Sequence, residues 1–125
     1  MNTTGRELVG ELKSEMLIAD ASVAVSAVTV TLKKTTAVKE LKKGTVLEAD
    51  ADGKCAILAG TSGSTAAYIL AEDISTSTSE DVVAEAYQTG KFVTNSLIVA
   101  DGYTLAVGDI KALRDAGIFL ETAIV

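Results

Sequence analysis

The chain has 125 residues, 11 Lys+Arg against 17 Asp+Glu for a net charge of −6, and 48% hydrophobic residues, with three Tyr and two Phe as its only aromatics. It contains no His, Pro or Trp and a single cysteine, Cys55, which excludes an internal disulfide, a Cys/His zinc site and any Ser–His or Cys–His nucleophile pair. The acidic balance opposes a general nucleic-acid surface, no apolar run approaches the ~20 residues of a membrane span, and residues 1–20 lack the basic start and apolar stretch of a secretory signal.

The expectation is a soluble chain, made in a reducing cytoplasm and large enough for one domain. Residues 1–21 read as an N-terminal arm and 22–125 as a β-rich domain. In the arm, Leu8, Val9, Leu12 and Met16 fall near helical spacing. Gly5 and Gly10 each weaken a helix by ~1 kcal/mol relative to Ala, and the like-charge pairs Glu7–Glu11 and Glu11–Glu15 oppose it further. The segment is therefore expected to order only against another surface, with a frayed terminus as the plainer alternative.

From Ser22 the period changes to two. Val23 and Val25 share one face, Val28, Val30 and Leu32 the other, and the slip between Ala27 and Val28 predicts a bulge. A Gly44 turn leads into a strand over Thr45–Ala49, and Asp50-Ala51-Asp52-Gly53 reads as a hairpin turn. A strand over Cys55–Ala59, a loop over 60–64 and a strand over Ala66–Asp73 follow, then a polar loop over Ser75–Ser79. Residues 81–93 predict two strands about a turn at Thr89-Gly90. An extended stretch, Asn95–Val99, leads to the turn Ala100-Asp101-Gly102. One helix is expected, with Asp109 as its N-cap, Ile110, Leu113 and Arg114 on helical spacing, and Gly117 as its stop. A strand over Ile118–Val125 closes the chain. The pattern is mainly β with one short C-terminal helix, a small barrel or curled sheet, whose turns depend on Gly90 and Gly117. With 19 Ala and 13 Val, its core is built from small side chains, which favours oligomerisation.

Nothing in the sequence assembles an active site. Asp50-Ala51-Asp52-Gly53 opens like a calcium loop, but Lys54, Cys55 and Thr61 occupy later ligand and turn positions. Gly60-Thr61-Ser62-Gly63 has no Lys-Ser/Thr after it, and Gly53-Lys54 and Gly90-Lys91 continue with Cys55 and Phe92, so no phosphate loop results. The doublets Glu72-Asp73 and Glu80-Asp81 point to opposite faces of an extended chain. Cys55 begins an apolar strand and is expected to be buried and inert. No catalytic, metal-binding or cofactor-binding residue is assigned, and a binding or structural module is the reading from residues alone.

Four blocks carry a more specific resemblance: Lys42-Lys43-Gly44-Thr45-Val46-Leu47; Ala67-Tyr68-Ile69-Leu70-Ala71-Glu72-Asp73; Thr89-Gly90-Lys91-Phe92; and Ala112-Leu113-Arg114-Asp115-Ala116-Gly117-Ile118-Phe119-Leu120. In this order they resemble the head decoration proteins of tailed bacteriophages, the lambda-type family, although this chain lacks the Pro and Trp of the best-known member. The resemblance implies a β-tulip-like decoration domain and a virion protein without catalysis or cofactor. It implies homotrimers on the outer surface of an expanded head, clamping neighbouring subunits of the phage major capsid protein. It also implies synthesis in the host bacterial cytoplasm and no nucleic-acid or membrane partner. An arm that adds a strand to a capsid sheet edge would place Met16, Leu17, Ile18, Val23 and Val25 in apolar pockets. Two alternatives stay open here: another virion component, such as a tail-tube or fibre subunit, or a small cytoplasmic β-barrel that binds a ligand or regulates an enzyme.

Overall fold

A computed structural model describes residues 25–121. In chain order the elements are β1 (Ser26–Leu32), β2 (Glu40–Leu41), β3 (Val46–Ala49), β4 (Cys55–Ile57), β5 (Thr65–Leu70), β6 (Ile74–Ser75) and β7 (Val82–Val93), then a 3-10 turn (Thr94–Ser96), helix α1 (Val107–Ala116) and β8 (Ile118–Glu121). The main sheet runs β1-β4-β3-β5-β7-β8, and β1 also pairs with β7, so β1, β4, β3, β5 and β7 close into a five-stranded barrel. The two seams of β1 differ in strength. Toward β7 it is antiparallel from Ala27↔Tyr87 to Leu32↔Val82; toward β4 it has one parallel pair, Leu32↔Cys55, continued by the Lys33 N–H donating to the Cys55 carbonyl at 2.8 Å. β2 and β6 form a separate two-stranded ribbon.

Strand alternation divides the apolar residues between two cores, because each side chain along a strand takes the face opposite its neighbour's. One cluster joins Val30, Leu32, Leu41, Leu47, Cys55, Leu70, Ala84 and Ala86 within the ring of strands. The other joins Val46, Leu58, Ala66, Ile69 and Phe92 with Leu113 of α1 and Ile118 of β8. β3 is buried on both faces, with Val46 in the second cluster and Leu47 in the first. Ala84 and Ala86 suit the narrow interior of a small barrel, and the helix covers one outer face, packing on β5 and β8. The expected core of small side chains forms only in part: among the described residues Ala66, Ala84, Ala86, Val30, Val46 and Val93 are the buried Ala and Val, and Leu, Ile and Phe supply half of the first cluster and most of the second. Among the described residues no helix is long and apolar enough to cross a membrane.

Several expectations are corrected in detail. The irregularity in β1 falls between Ser26 and Ala27, one residue before the expected slip. Thr89-Gly90 is not a turn: β7 runs unbroken for 12 residues. Past Thr89 it exchanges its β1 partner for β8, in parallel register from Gly90↔Ile118 to Val93↔Glu121. Backbone pairing to a later strand keeps the chain extended where local glycine chemistry favours a reversal. Ser75, expected to open the polar loop, instead joins Ile74 in a short strand paired with β2. Residues 94–96 form a 3-10 turn rather than a strand, although Ile98 bridges to Thr45. Asp109 lies one turn inside the helix rather than at its N-cap, which is Ala106. Its carboxylate accepts the Ala106 N–H at 2.9 Å, satisfying an otherwise orphaned donor from the third helical position.

Candidate functional site

Of the residues expected to grip a partner, Met16, Leu17, Ile18 and Val23 lie outside the described residues. Val25 is described. It is 39% exposed and immediately precedes β1. The barrel end at this point brings together Val25, Gly90 and Gly117, although 27 or more positions separate the members of this group along the chain. The Ser26 N–H donates to Thr89 Oγ1 at 3.2 Å, and the two hydroxyls lie 2.8 Å apart. The Gly90 N–H donates to the Gly117 carbonyl at 3.1 Å. Gly117 has φ +109°, and a Cβ there would lie 3.0 Å from the Thr89 methyl. Gly90 has φ +144°, and a Cβ there would meet two Phe92 ring atoms at 3.0 Å and the Val25 side chain at 3.4 Å. Both backbones sit where L side chains are disfavoured. The start of β1 is held by this glycine-dependent contact.

The far end of β1 is held by charge. Lys33 pairs with Asp50 at 3.0 Å and Lys54 with Asp81 at 2.9 Å, while the Lys34 N–H donates to Asp81 at 2.9 Å. Asp50 Oδ1 also accepts the Asp52 and Lys54 N–H groups at 2.9 and 3.0 Å, so the Asp50–Gly53 segment is a self-capped hairpin turn. The Lys54 ammonium beside Asp81, and the Lys33 ammonium beside Asp50, hold both carboxyls below the usual aspartate range.

Cys55 is fully buried, and loss of hydration, reinforced by the Asp50 charge, pushes its thiol up to about 11. It is therefore a protonated, poorly nucleophilic group at neutral pH, facing a cavity of about 200 Å³ together with Leu32, Leu41 and Glu48. Glu48 is the functional-looking residue that sequence reasoning passed over. It is 3% exposed, and one carboxylate oxygen accepts the Ala59 and Thr61 N–H groups at 3.1 and 3.2 Å, an arrangement that fixes a loop. The signal was present as a lone charge inside the apolar run Val46-Leu47-Glu48-Ala49. Tyr103 was also passed over. Its ring lies where a Cβ on Gly60 would be, and its hydroxyl donates to the Asp109 carboxylate, joining that same loop to the start of α1. Among the described residues no group of three or more His, Cys, Asp or Glu side chains could hold a metal.

The geometry is that of a rigid barrel with a precisely held N-terminal root and apolar side chains left on its surface. The chain matches the family of bacteriophage lambda head decoration protein D over residues 10–118. No curated protein matches it. The match spans most of the chain, including residues ahead of β1, the barrel and the helix. The chain belongs to the bacteriophage head decoration protein family, a structural family of the phage capsid.

Proposed function

We propose that the chain attaches as trimers to the outer surface of the expanded phage head and clamps neighbouring major capsid subunits against the pressure of packaged DNA. The family match carries this reading, because it begins at residue 10 and so takes in residues 10–24 together with the barrel. Residues 1–21 act as the arm and 22–125 as the decoration domain, synthesised in the host cytoplasm, with neither nucleic acid nor membrane as partner. A net charge of −6 suits the outside of the shell better than a surface facing DNA phosphates.

The arm's grip depends on its side chains. Fixing one residue costs about 1–2 kcal/mol of backbone entropy, and a strand hydrogen bond contributes about 0.5–1.5 kcal/mol net. Backbone pairing to a capsid sheet edge therefore falls near or below break-even. Each apolar side chain fully buried adds about 1.5–3 kcal/mol, which gives Met16, Leu17, Ile18, Val23 and Val25 the deciding role. A trimer multiplies the effect, since the second and third arms engage at high effective concentration. Co-sedimentation of the purified chain with expanded and unexpanded heads tests the proposal. Saturable binding to expanded heads alone is expected; equal binding to both, or to neither, would overturn it.

A further inference from the structure

The barrel closes unequally. β1 is laddered to β7 along its whole length, from Ser26↔Thr89 to Leu32↔Val82. It reaches β4 through one pair, Leu32↔Cys55, and the Lys33 N–H on the Cys55 carbonyl. Behind that seam lies the cavity of about 200 Å³, bordered by Leu32 and Lys33 on the β1 side and by Cys55, Ala56 and Ile57 on the β4 side. Side chains that face a void forfeit dispersion contacts there, so packing adds less at this seam than a filled interior would.

What remains is a clasp of charges. Lys33 reaches Asp50 of the β3–β4 turn, and Lys54 of that turn reaches Asp81, just before β7. Asp81 also accepts the Lys34 N–H, so it holds both sides of the seam at once. All four side chains keep between 24% and 48% of their surface exposed, where ion pairs are weak and screened by salt. The turn is complete in itself: the Asp50 N–H donates to the Lys54 carbonyl and the Gly53 N–H to the Asp50 carbonyl, both at 2.9 Å. It can swing away without losing its own hydrogen bonds.

We infer that the β1–β4 seam is a gate: the barrel opens there locally, β4 and its turn moving off β1 while β1 stays on β7, and the opening admits solvent and small solutes to the cavity and to Cys55. Such an opening is sub-global and less costly than unfolding. The Ser26–Thr89 contact lies at the other end of β1, so the barrel opens without loosening the root of the segment that precedes it.

Cys55 is the only cysteine and reports the gate without engineering. The probe is methyl methanethiosulfonate: the thiol loses its proton to solvent, the thiolate attacks the divalent sulfur, a methyl disulfide forms and methanesulfinate leaves. In the full-length chain at neutral pH and sub-denaturing urea, Cys55 labelling and exchange of the Lys33 amide should share one opening equilibrium that urea barely changes. The β1 amides paired with β7 should exchange only through an opening that depends steeply on urea. Asp81→Asn should raise Cys55 labelling and Lys33 exchange roughly 3- to 10-fold, relative to the global opening that the β1–β7 amides measure in the same sample. If Cys55 and Lys33 follow the steep urea dependence of the β1–β7 amides, the barrel opens only as a whole and the inference is overturned. Cys55 labelling without Lys33 exchange, which is entry by the cavity mouth, or rates that Asp81→Asn leaves unchanged, would overturn it equally.

Discussion

Gly117→Ala perturbs the fold at one point and by a calculable amount. Gly117 has φ +109°, and holding an L residue in the left-handed region costs roughly 1–2 kcal/mol. The new Cβ would also stand 3.0 Å from the Thr89 methyl, and Thr89 cannot retreat freely because its hydroxyl is engaged with Ser26 at 2.8 Å. If the displacement breaks that contact, about 1 kcal/mol more is lost, for a total of about 2–3 kcal/mol. For a domain of this size each kcal/mol moves the melting temperature by about 4 °C, so a drop of about 8–12 °C is expected by calorimetry at fixed protomer concentration. Gly108→Ala is the matched control. Gly108 lies within α1, a Cβ there would have nothing within 4 Å and its φ is outside the disfavoured range, so the change should leave stability level or raise it by up to about 1 kcal/mol. Gly117→Ala melting at or above Gly108→Ala would refute the role assigned to the helix end.

Three further outcomes are expected. Glu48→Ala should lose about 2–4 kcal/mol in denaturant titration, because it leaves the Ala59 and Thr61 N–H groups without their charged acceptor; Glu48→Gln, which keeps an acceptor oxygen, should lose less, and equal losses would count against the loop-fixing role. The ties made by Asp50 and Asp81 should be fully present above the ordinary aspartate pKa of about 3.9 and disappear as pH falls through their lowered folded values, because protonation removes the charge that Lys33 and Lys54 hold. Amide protection at Lys34, Asp52 and Lys54 should fall in that acid range before the barrel melts, and protection unchanged to pH ~2 would contradict the assignment. Deleting residues 2–20 should leave the melting temperature near that of the full chain but weaken co-sedimentation with expanded heads; undiminished binding would move the attachment onto the barrel, and failure to fold would place Leu8, Leu12 and Met16 in the core.

The sequence was most legible where a pattern is local. Val28, Val30 and Leu32 alternate with Thr29 and Thr31, and that period alone places the first three toward the interior of β1. Gly117 ends α1 because no other residue is as comfortable in the left-handed conformation. Legibility failed where a distant partner decided. Thr89-Gly90 has turn chemistry, yet β8 keeps it extended. Glu40–Leu41 and Ile74–Ser75 are too short to show any period, and each is a strand only because the other is there. Asp109 signals the helix start but stands at its third position rather than at the N-cap, since a carboxylate at either place satisfies the same end of the helix. Of the residues expected to grip a partner, only Val25, just ahead of β1, is among the described residues.

Imaging of expanded heads incubated with the purified chain, by electron cryomicroscopy, addresses the capsid role most directly. Three copies should surround each threefold and quasi-threefold position on the outer surface, with density from each barrel's β1 end continuing onto a neighbouring capsid subunit. Single copies or dimers at the attachment sites, density on the inner surface, or heads left bare would contradict it.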